Sequence, residues 1–230
     1  MERIILAGRP DVEVLLRRSR RARRISLRVS GLDGRVTLTM PPRARLREAQ
    51  AFLREKEDWI RANIGRAPEA VRPEIGGSIL WEGQEVEIRE GSGRTACFGD
   101  GAICVPPDPA RVRSRLAALM KAEARTRLMA ASEKYADMLG ARFGRISLRD
   151  PRSRWGSCSS EGNLMYSWRL IMAPPGVLDY VAAHEVAHLR EMNHSSAYWR
   201  YVERICPDYA THRGWLRENG ALLHRYHFRD

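Results

Sequence analysis

All six histidines of the 230-residue chain lie at or beyond position 184, and two of them frame the run His184-Glu185-Val186-Ala187-His188. On a helix, residues four apart share a face one turn from each other, so both imidazoles can point at a single ion while Glu185 projects beside them. Neutral imidazoles suit zinc, and a catalytic zinc takes three protein ligands and keeps a further position for water. The chemistry to expect is metal-assisted hydrolysis, with Glu185 as the base that takes the proton of the attacking water. With six His and eighteen Glu in the chain, chance gives roughly 0.01 such matches.

His194 is the leading third ligand. On an unbroken helix it would stand roughly 120° around from His188 and about 9 Å further along, so the helix must end first, and Met192-Asn193 offers the break because Asn tolerates the left-handed conformation. The rivals are Glu203 and Asp208, either of which would complete a His-His-carboxylate set. His212, His224 and His227 read as surface histidines. Tyr166, Arg169, Tyr198 and Tyr209 are the candidates for contact with a substrate or its developing oxyanion. Ser157 and Cys158 lack a nearby base, and a Gly-Ser-Cys turn of that kind reads as structural.

The elements that position these residues follow from periodicity. Val177, Leu178, Val181, Ala182, Val186, Ala187 and Leu189 predict a largely apolar helix from about 176 to 191, entered through Pro174-Pro175-Gly176. Ile146 to Leu148 and Met165 to Met172 read as strands, the second as a covered strand whose edge, around 163 to 172, could pair with an extended substrate. Earlier, residues 12 to 40 look like strands, with Ile25 to Val29 and Val36 to Met40 forming a hairpin, then Pro41-Pro42 and a helix from about 45 to 63. Strands at 79 to 90 and 95 to 105, Pro106-Pro107 and a helix from about 109 to 139 repeat that order, a hint of internal duplication. Arg66 to Gly77 reads as a linker. The expected fold class is α+β, an N-terminal β-rich portion followed by a zincin-like helix-and-sheet domain. The expected divisions are 1–75, 76–140 and 141–230, with 76–230 readable as one domain.

A net charge of +12 rests on arginine, with three lysines in the whole chain. Arg17 to Arg28 hold seven arginines in twelve residues, and Arg20, Arg21, Arg23 and Arg24 are the candidates for non-specific contact with nucleic acid through its phosphates. The other reading is a solvated basic face. Cys97, Cys104, Cys158 and Cys206 form no CxxC pair, which suits reduced thiols; Cys97 and Cys104 could face each other across a hairpin. Neither a secretory h-region nor a membrane-length apolar run is evident, so a cytoplasmic protein without a membrane partner is expected. The sequence leaves the oligomeric state open.

The stretch Arg154-Trp155-Gly156-Ser157-Cys158-Ser159-Ser160, together with Gly162-Asn163-Leu164, Trp168 to Ile171, Asp179-Tyr180-Val181, His184 to Leu189 and Asn193-His194-Ser195, resembles the bacterial YgjP-like family of metallopeptidases. That family is related to the SprT and WLM zinc peptidases. The resemblance is strongest in the last third and extends to the N-terminal strands and the Trp59-Ile60 helix end. It implies zinc on His184, His188 and His194, Glu185 as base, and a peptide or protein substrate. The usual HELAH reads HEVAH here, a change of packing alone. Two other functions compete: a metal-dependent hydrolase of nucleotides or similar phosphates, weakened by the lack of a Gly-rich phosphate loop, and a peptidase that reaches nucleic-acid-bound proteins through the arginine segment.

Overall fold

The computed structural model describes residues 2–65 and 68–228. The chain divides into two compact units, Met1–Ala70 and Val71–Asp230. The unit boundary falls within the stretch 66–77, of which Arg66 and Ala67 lie outside the described residues.

In the first unit, β1 (Glu2–Leu6), β2 (Val12–Arg18), β3 (Ser26–Val29) and β4 (Val36–Met40) form a sheet of order β1-β2-β4-β3. Alternation decides which face is covered. Val12, Val14 and Leu16 of β2 and Val36, Leu38 and Met40 of β4 are buried, while Glu13 and Arg17 point the other way. Pro41-Pro42 stops β4, and Ala49, Leu53 and Ile60 close the core from α1 (Leu46–Glu55) and α2 (Glu57–Ile64). The sequence predicts one helix over 45 to 63; the chain instead breaks at Lys56, where neither Gly nor Pro marks the break. The strands it names begin at residue 12, and residues 2 to 6 add a further one that pairs antiparallel with β2 at the sheet's edge.

The second unit opens with β5 (Ser78–Trp81), β6 (Gln84–Glu90), β7 (Cys97–Gly99) and β8 (Ala102–Val105), ordered β5-β6-β8-β7. Its middle pair is parallel and its outer pairs antiparallel, and so are those of the first sheet. The hint of duplication is therefore real at the level of topology, each sheet being followed by Pro-Pro and a helix. Cys97 and Cys104 are register partners across β7 and β8, and both thiols are free.

The helix α3 (Val112–Leu139) buries Leu116, Met120, Ala124, Leu128, Ala131, Tyr135 and Leu139 at intervals of three or four, one stripe of a 3.6-residue repeat. Gly140, at φ 59°, ends it; that left-handed backbone suits glycine. Next come β9 (Ile146–Arg149), β10 (Gly156–Cys158) and β11 (Leu164–Ser167), ordered β10-β11-β9. The expectation that 163 to 172 offers a free strand edge is thus corrected. β11 is the middle strand, hydrogen-bonded on both sides, and residues 168–172 leave the sheet as a 3-10 turn. The edge strand nearest the histidine helix is β10.

That helix, α4 (Pro175–Ala187), packs against α3, α5 (Ser196–Ile205), α6 (Tyr209–Leu223) and β10. A helix covered on so many sides must be apolar nearly all round, and Val177, Leu178, Tyr180 to Ala183, Val186 and Ala187 are all buried. Pro175 occupies its first turn, where a missing N–H costs nothing. The chain is α+β, its N-terminal strands preceding the helices. Among the described residues no helix is long and apolar enough to cross a membrane.

Candidate metal centre

α4 ends at Ala187, earlier than periodicity suggests, and the turn at 188 to 190 tightens to i→i−3 bonds, Leu189 N to Val186 O and Arg190 N to Ala187 O. Asn193 does not take the left-handed conformation expected of it. The helix is redirected instead by Arg190, whose guanidinium donates to the carbonyls of Leu139 and Gly140 at the end of α3. The positive side chain thereby meets the negative end of the α3 dipole. The loop that follows folds back and brings His194 to the helix.

One ring nitrogen from each of His184, His188 and His194 lies within 4.8 Å of the other two. Among the described residues this is the one group of three or more His, Cys, Asp or Glu arranged to hold an ion. Glu203 and Asp208 do not belong to it. His188 donates from Nδ1 to the Glu191 carbonyl at 3.1 Å, which leaves the Nε2 lone pair for a metal. His184 is held by rings, with Tyr180 and Tyr198 edge-on at 5.8 and 5.4 Å; its Nδ1 is buried without a protein partner. Nε2 of His194 and Nε2 of His184 stand 3.2 Å apart. Burial, reinforced by the neighbouring His188, His194 and Arg213 charges, pulls the His184 pKa down to about 3. Burial lowers His188 as well, against the pull of the Glu191 carbonyl. Neutral imidazoles with converging lone pairs are the donor set that a zinc-type cation requires, so the residues present fit such an ion.

Glu185 lies beside the cluster and is 5% exposed. Burial pushes its carboxyl up to about 8, with Arg154 drawing it back. Its carboxylate rests against Gly156: a Cβ there would stand 2.5 Å from Glu185 Oε1. The glycine of β10 is therefore what leaves room for the acid. Cys158, two residues on, has its thiol pushed up to about 11, by burial first and Glu185 second, and so remains protonated, in keeping with a structural role.

The other expected site residues separate. Tyr198 is fully buried. Its hydroxyl donates to the His184 carbonyl at 2.9 Å and its ring stacks on His188 at 4.5 Å, so it positions two histidines rather than meeting a substrate. Tyr166 is also fully buried, its hydroxyl 3.0 Å from that of Ser132 on α3. Arg169 forks onto Asp150 at 2.6 and 3.2 Å and donates to the Leu223 and Tyr226 carbonyls. The expected substrate contacts of Tyr166 and Arg169 thus give way to structural roles, because their polar groups are bonded inside the protein. Tyr209 stacks on Trp199 at 5.3 Å. His224 is no surface histidine: it packs on Trp155 at 5.1 Å and burial pulls it down to about 4. Arg20, Arg21, Arg23 and Arg24 belong to the first unit, exposed on the connection from β2 to β3.

A cavity of about 330 Å³ opens beside His184 and Glu185. Tyr180, Arg154, Arg213 and Arg217 line it with Trp155 and Leu216. None of these polar side chains stands out in the sequence as a site residue, because each reaches the cleft from a different element or a different turn. Arg213 and Arg217, four apart on α6, carry the one local signal, a shared helical face.

Three imidazoles converging beside a buried carboxyl group, at the mouth of a polar cleft, make a site of the metal-dependent hydrolase type. The family model described as YgjP-like, metallopeptidase domain, matches residues 23–219, and the chain belongs to that family. Membership places it among metallopeptidases, enzymes of peptide and protein substrates. No curated protein matches the chain. Among solved structures it is similar to the metallopeptidase zymogen of Pyrococcus abyssi abylysin, at 23% identity over 39% of this chain and 93% of that one, with a TM-score of 0.35, a likeness too distant to bear on the site.

Proposed function

We propose that the protein is a zincin-like zinc-dependent metallopeptidase in which His184, His188 and His194 hold the metal and Glu185 is the general base. The convergence of three ring nitrogens within 4.8 Å of one another, next to a nearly buried glutamate, carries this reading. When bound, zinc lowers the pKa of a coordinated water towards ~7 and polarises the scissile carbonyl. Glu185 takes the proton of the attacking water on a carboxylate oxygen and passes it to the departing amine. Its shelter from solvent keeps that proton from being lost.

The free edge of β10 supports an extended substrate. Ser167 N donates to Trp155 O and Ser159 N to Asn163 O. In an antiparallel pair, hydrogen-bonded and non-bonded positions alternate, so the backbone groups of Gly156 and Cys158 face away from β11. A peptide adding there as a strand would run past Glu185. Tyr180 and Arg213 are the donors placed to meet an oxyanion. The test is to incubate the zinc-loaded protein separately with an unfolded protein and with nucleoside triphosphates. Cleavage of the protein with the nucleotides left intact is the expected result; consumption of the nucleotides alone would replace this reading with phosphate hydrolysis.

A second reading adds nucleic acid to the substrate's surroundings, and a specific arrangement favours it. Residues 1–70 hold 17 Lys and Arg against 9 Asp and Glu. Arg18 donates to the carbonyls of Pro42 and Ala44 at 3.0 Å, which sets the loop of Arg20 to Arg24 beside the exposed Arg43 and Arg45. Neighbouring guanidiniums of this kind, without an acidic partner among the described residues, reach phosphates together. Duplex DNA should bind with a log–log salt slope of about −0.9 per phosphate contact. Replacing Arg20, Arg21, Arg23 and Arg24 by Gln should flatten it while leaving zinc content and peptide cleavage unchanged. An unaltered slope would return the segment to a solvated basic face.

A further inference from the structure

We propose that the cleft beside His184 and Glu185 selects substrates carrying an acidic side chain, bound by Arg213, Arg217 and Arg154. This rests on the peptidase reading for the substrate's backbone, while the anion selectivity rests on the cleft alone.

The cleft joins three elements. Arg213 and Arg217 stand one turn apart on α6, so their side chains leave the same face, with Leu216 between them as an apolar contact. Arg154 enters from the segment just before β10, and Tyr180, His184 and Glu185 come from α4. Three guanidiniums therefore surround a cavity whose one acid is Glu185, the group assigned to proton transfer.

The protein does little to neutralise these cations. Arg213 lies over the Trp199 ring at 4.9 Å, a cation–π contact that fixes the side chain and leaves its N–H donors unspent. Among the described residues Arg213 has no carboxylate partner, and the carboxyl that Arg154 acts on is that of Glu185, within the cleft itself. Arg217 reaches Glu218 at 3.7 Å with both side chains at least 70% exposed, a pair worth little in water. Several arginines elsewhere do face acids, among them Arg61 with Glu57, Arg127 with Glu82 and Arg169 with Asp150. A cation on the three imidazoles would raise the positive potential further. Charge of one sign gathered in a cleft draws the opposite sign from solution, and a planar guanidinium pairs with a carboxylate through two parallel hydrogen bonds. A cavity of about 330 Å³ is at the small end for ligand pockets, sized for a side chain and its neighbour. Trp155 lines the cleft and packs on His224 and against Gly220. A peptide Asp or Glu is the anion that fits.

The test measures binding rather than turnover. Zinc-loaded Glu185→Gln protein is titrated with two unstructured peptides that differ only in Glu against Gln. The acidic peptide should bind about 10-fold tighter or more at low salt, the effect of one charge-assisted hydrogen bond. The preference should fall towards unity in the same protein carrying Arg213→Gln and Arg217→Gln, with zinc content unchanged. Arg217→Gln alone, which touches no ring, should lower it in part should Arg213→Gln disturb Trp199. Equal affinity for the two peptides, a preference that survives the double change, or ATP bound more tightly than the acidic peptide in the same titration overturns the inference, whatever wild type cleaves. If wild type cleaves neither peptide while the preference stands, the peptidase reading fails and the anion selection holds.

Discussion

Glu185→Gln in the zinc-loaded protein should keep its metal and its melting behaviour and lose on the order of 10² or more in peptide turnover, the usual contribution of a positioned general base. The amide has the shape of the acid, so the packing against Gly156 survives. It also removes a group that burial already holds with a pKa near 8; a neutral side chain in that place adds no buried charge. The histidine nitrogens are untouched, which is why zinc should stay. Gly156→Ala approaches the same carboxylate from outside: the added methyl would meet Oε1 at 2.5 Å and push the acid from its place. It should therefore also lower turnover while leaving zinc bound. Both variants are compared by zinc content, thermal melting and kcat on one peptide. A Gln variant as active as wild type would take Glu185 out of the mechanism.

The parts of this site that the sequence discloses are those held on one helix. His184, Glu185 and His188 fall at helical spacing in an apolar segment, and a 3.6-residue period is a local property. His194 is legible for a weaker reason, a short spacing after a helix that had to end; the cause of that ending, Arg190 bonded across to the end of α3, is tertiary and leaves no local mark. Tyr166 and Arg169 mislead for the opposite reason. A polar side chain in an apolar stretch reads as functional, yet Ser132 and Asp150 lie 34 and 19 residues away and satisfy them in the interior. Strand order is likewise hidden: alternation tells which face of β11 is covered but not that β9 and β10 flank it on both sides. The two Pro-Pro punctuations signal a repeated plan, and the shared strand order becomes visible once the parallel pairs β2 with β4 and β6 with β8 are seen. Arg154, Arg213 and Arg217 meet across elements far apart in sequence, in a chain where arginine is common enough to hide them.

Purified protein should carry about one zinc per chain, the load expected of a single three-histidine site, and His184→Ala, His188→Ala and His194→Ala should each weaken zinc binding by at least the roughly 10–100-fold that an outer-shell partner is worth. The three do not start equal. His184 sits on the buried helix α4 and His188 caps it, braced by the Tyr198 hydroxyl at the His184 carbonyl and by the Tyr198 ring against His188. His194 stands on an exposed loop, 3.2 Å from His184 through Nε2. Without His194 the two helical ligands remain in place and the site is weakened; without either helical ligand the surviving imidazoles lack the pair that makes the site. Zinc should raise the melting temperature of wild type in proportion to ln(1 + [L]/Kd), and that rise should shrink in all three variants and persist in Glu203→Ala. The thermal shift is read with chelator-dialysed protein and no substrate, so it tests the ligands independently of catalysis. Full zinc retention by His194→Ala together with loss in Glu203→Ala would give the third position to the carboxylate, against a geometry in which Glu203 stands outside the cluster.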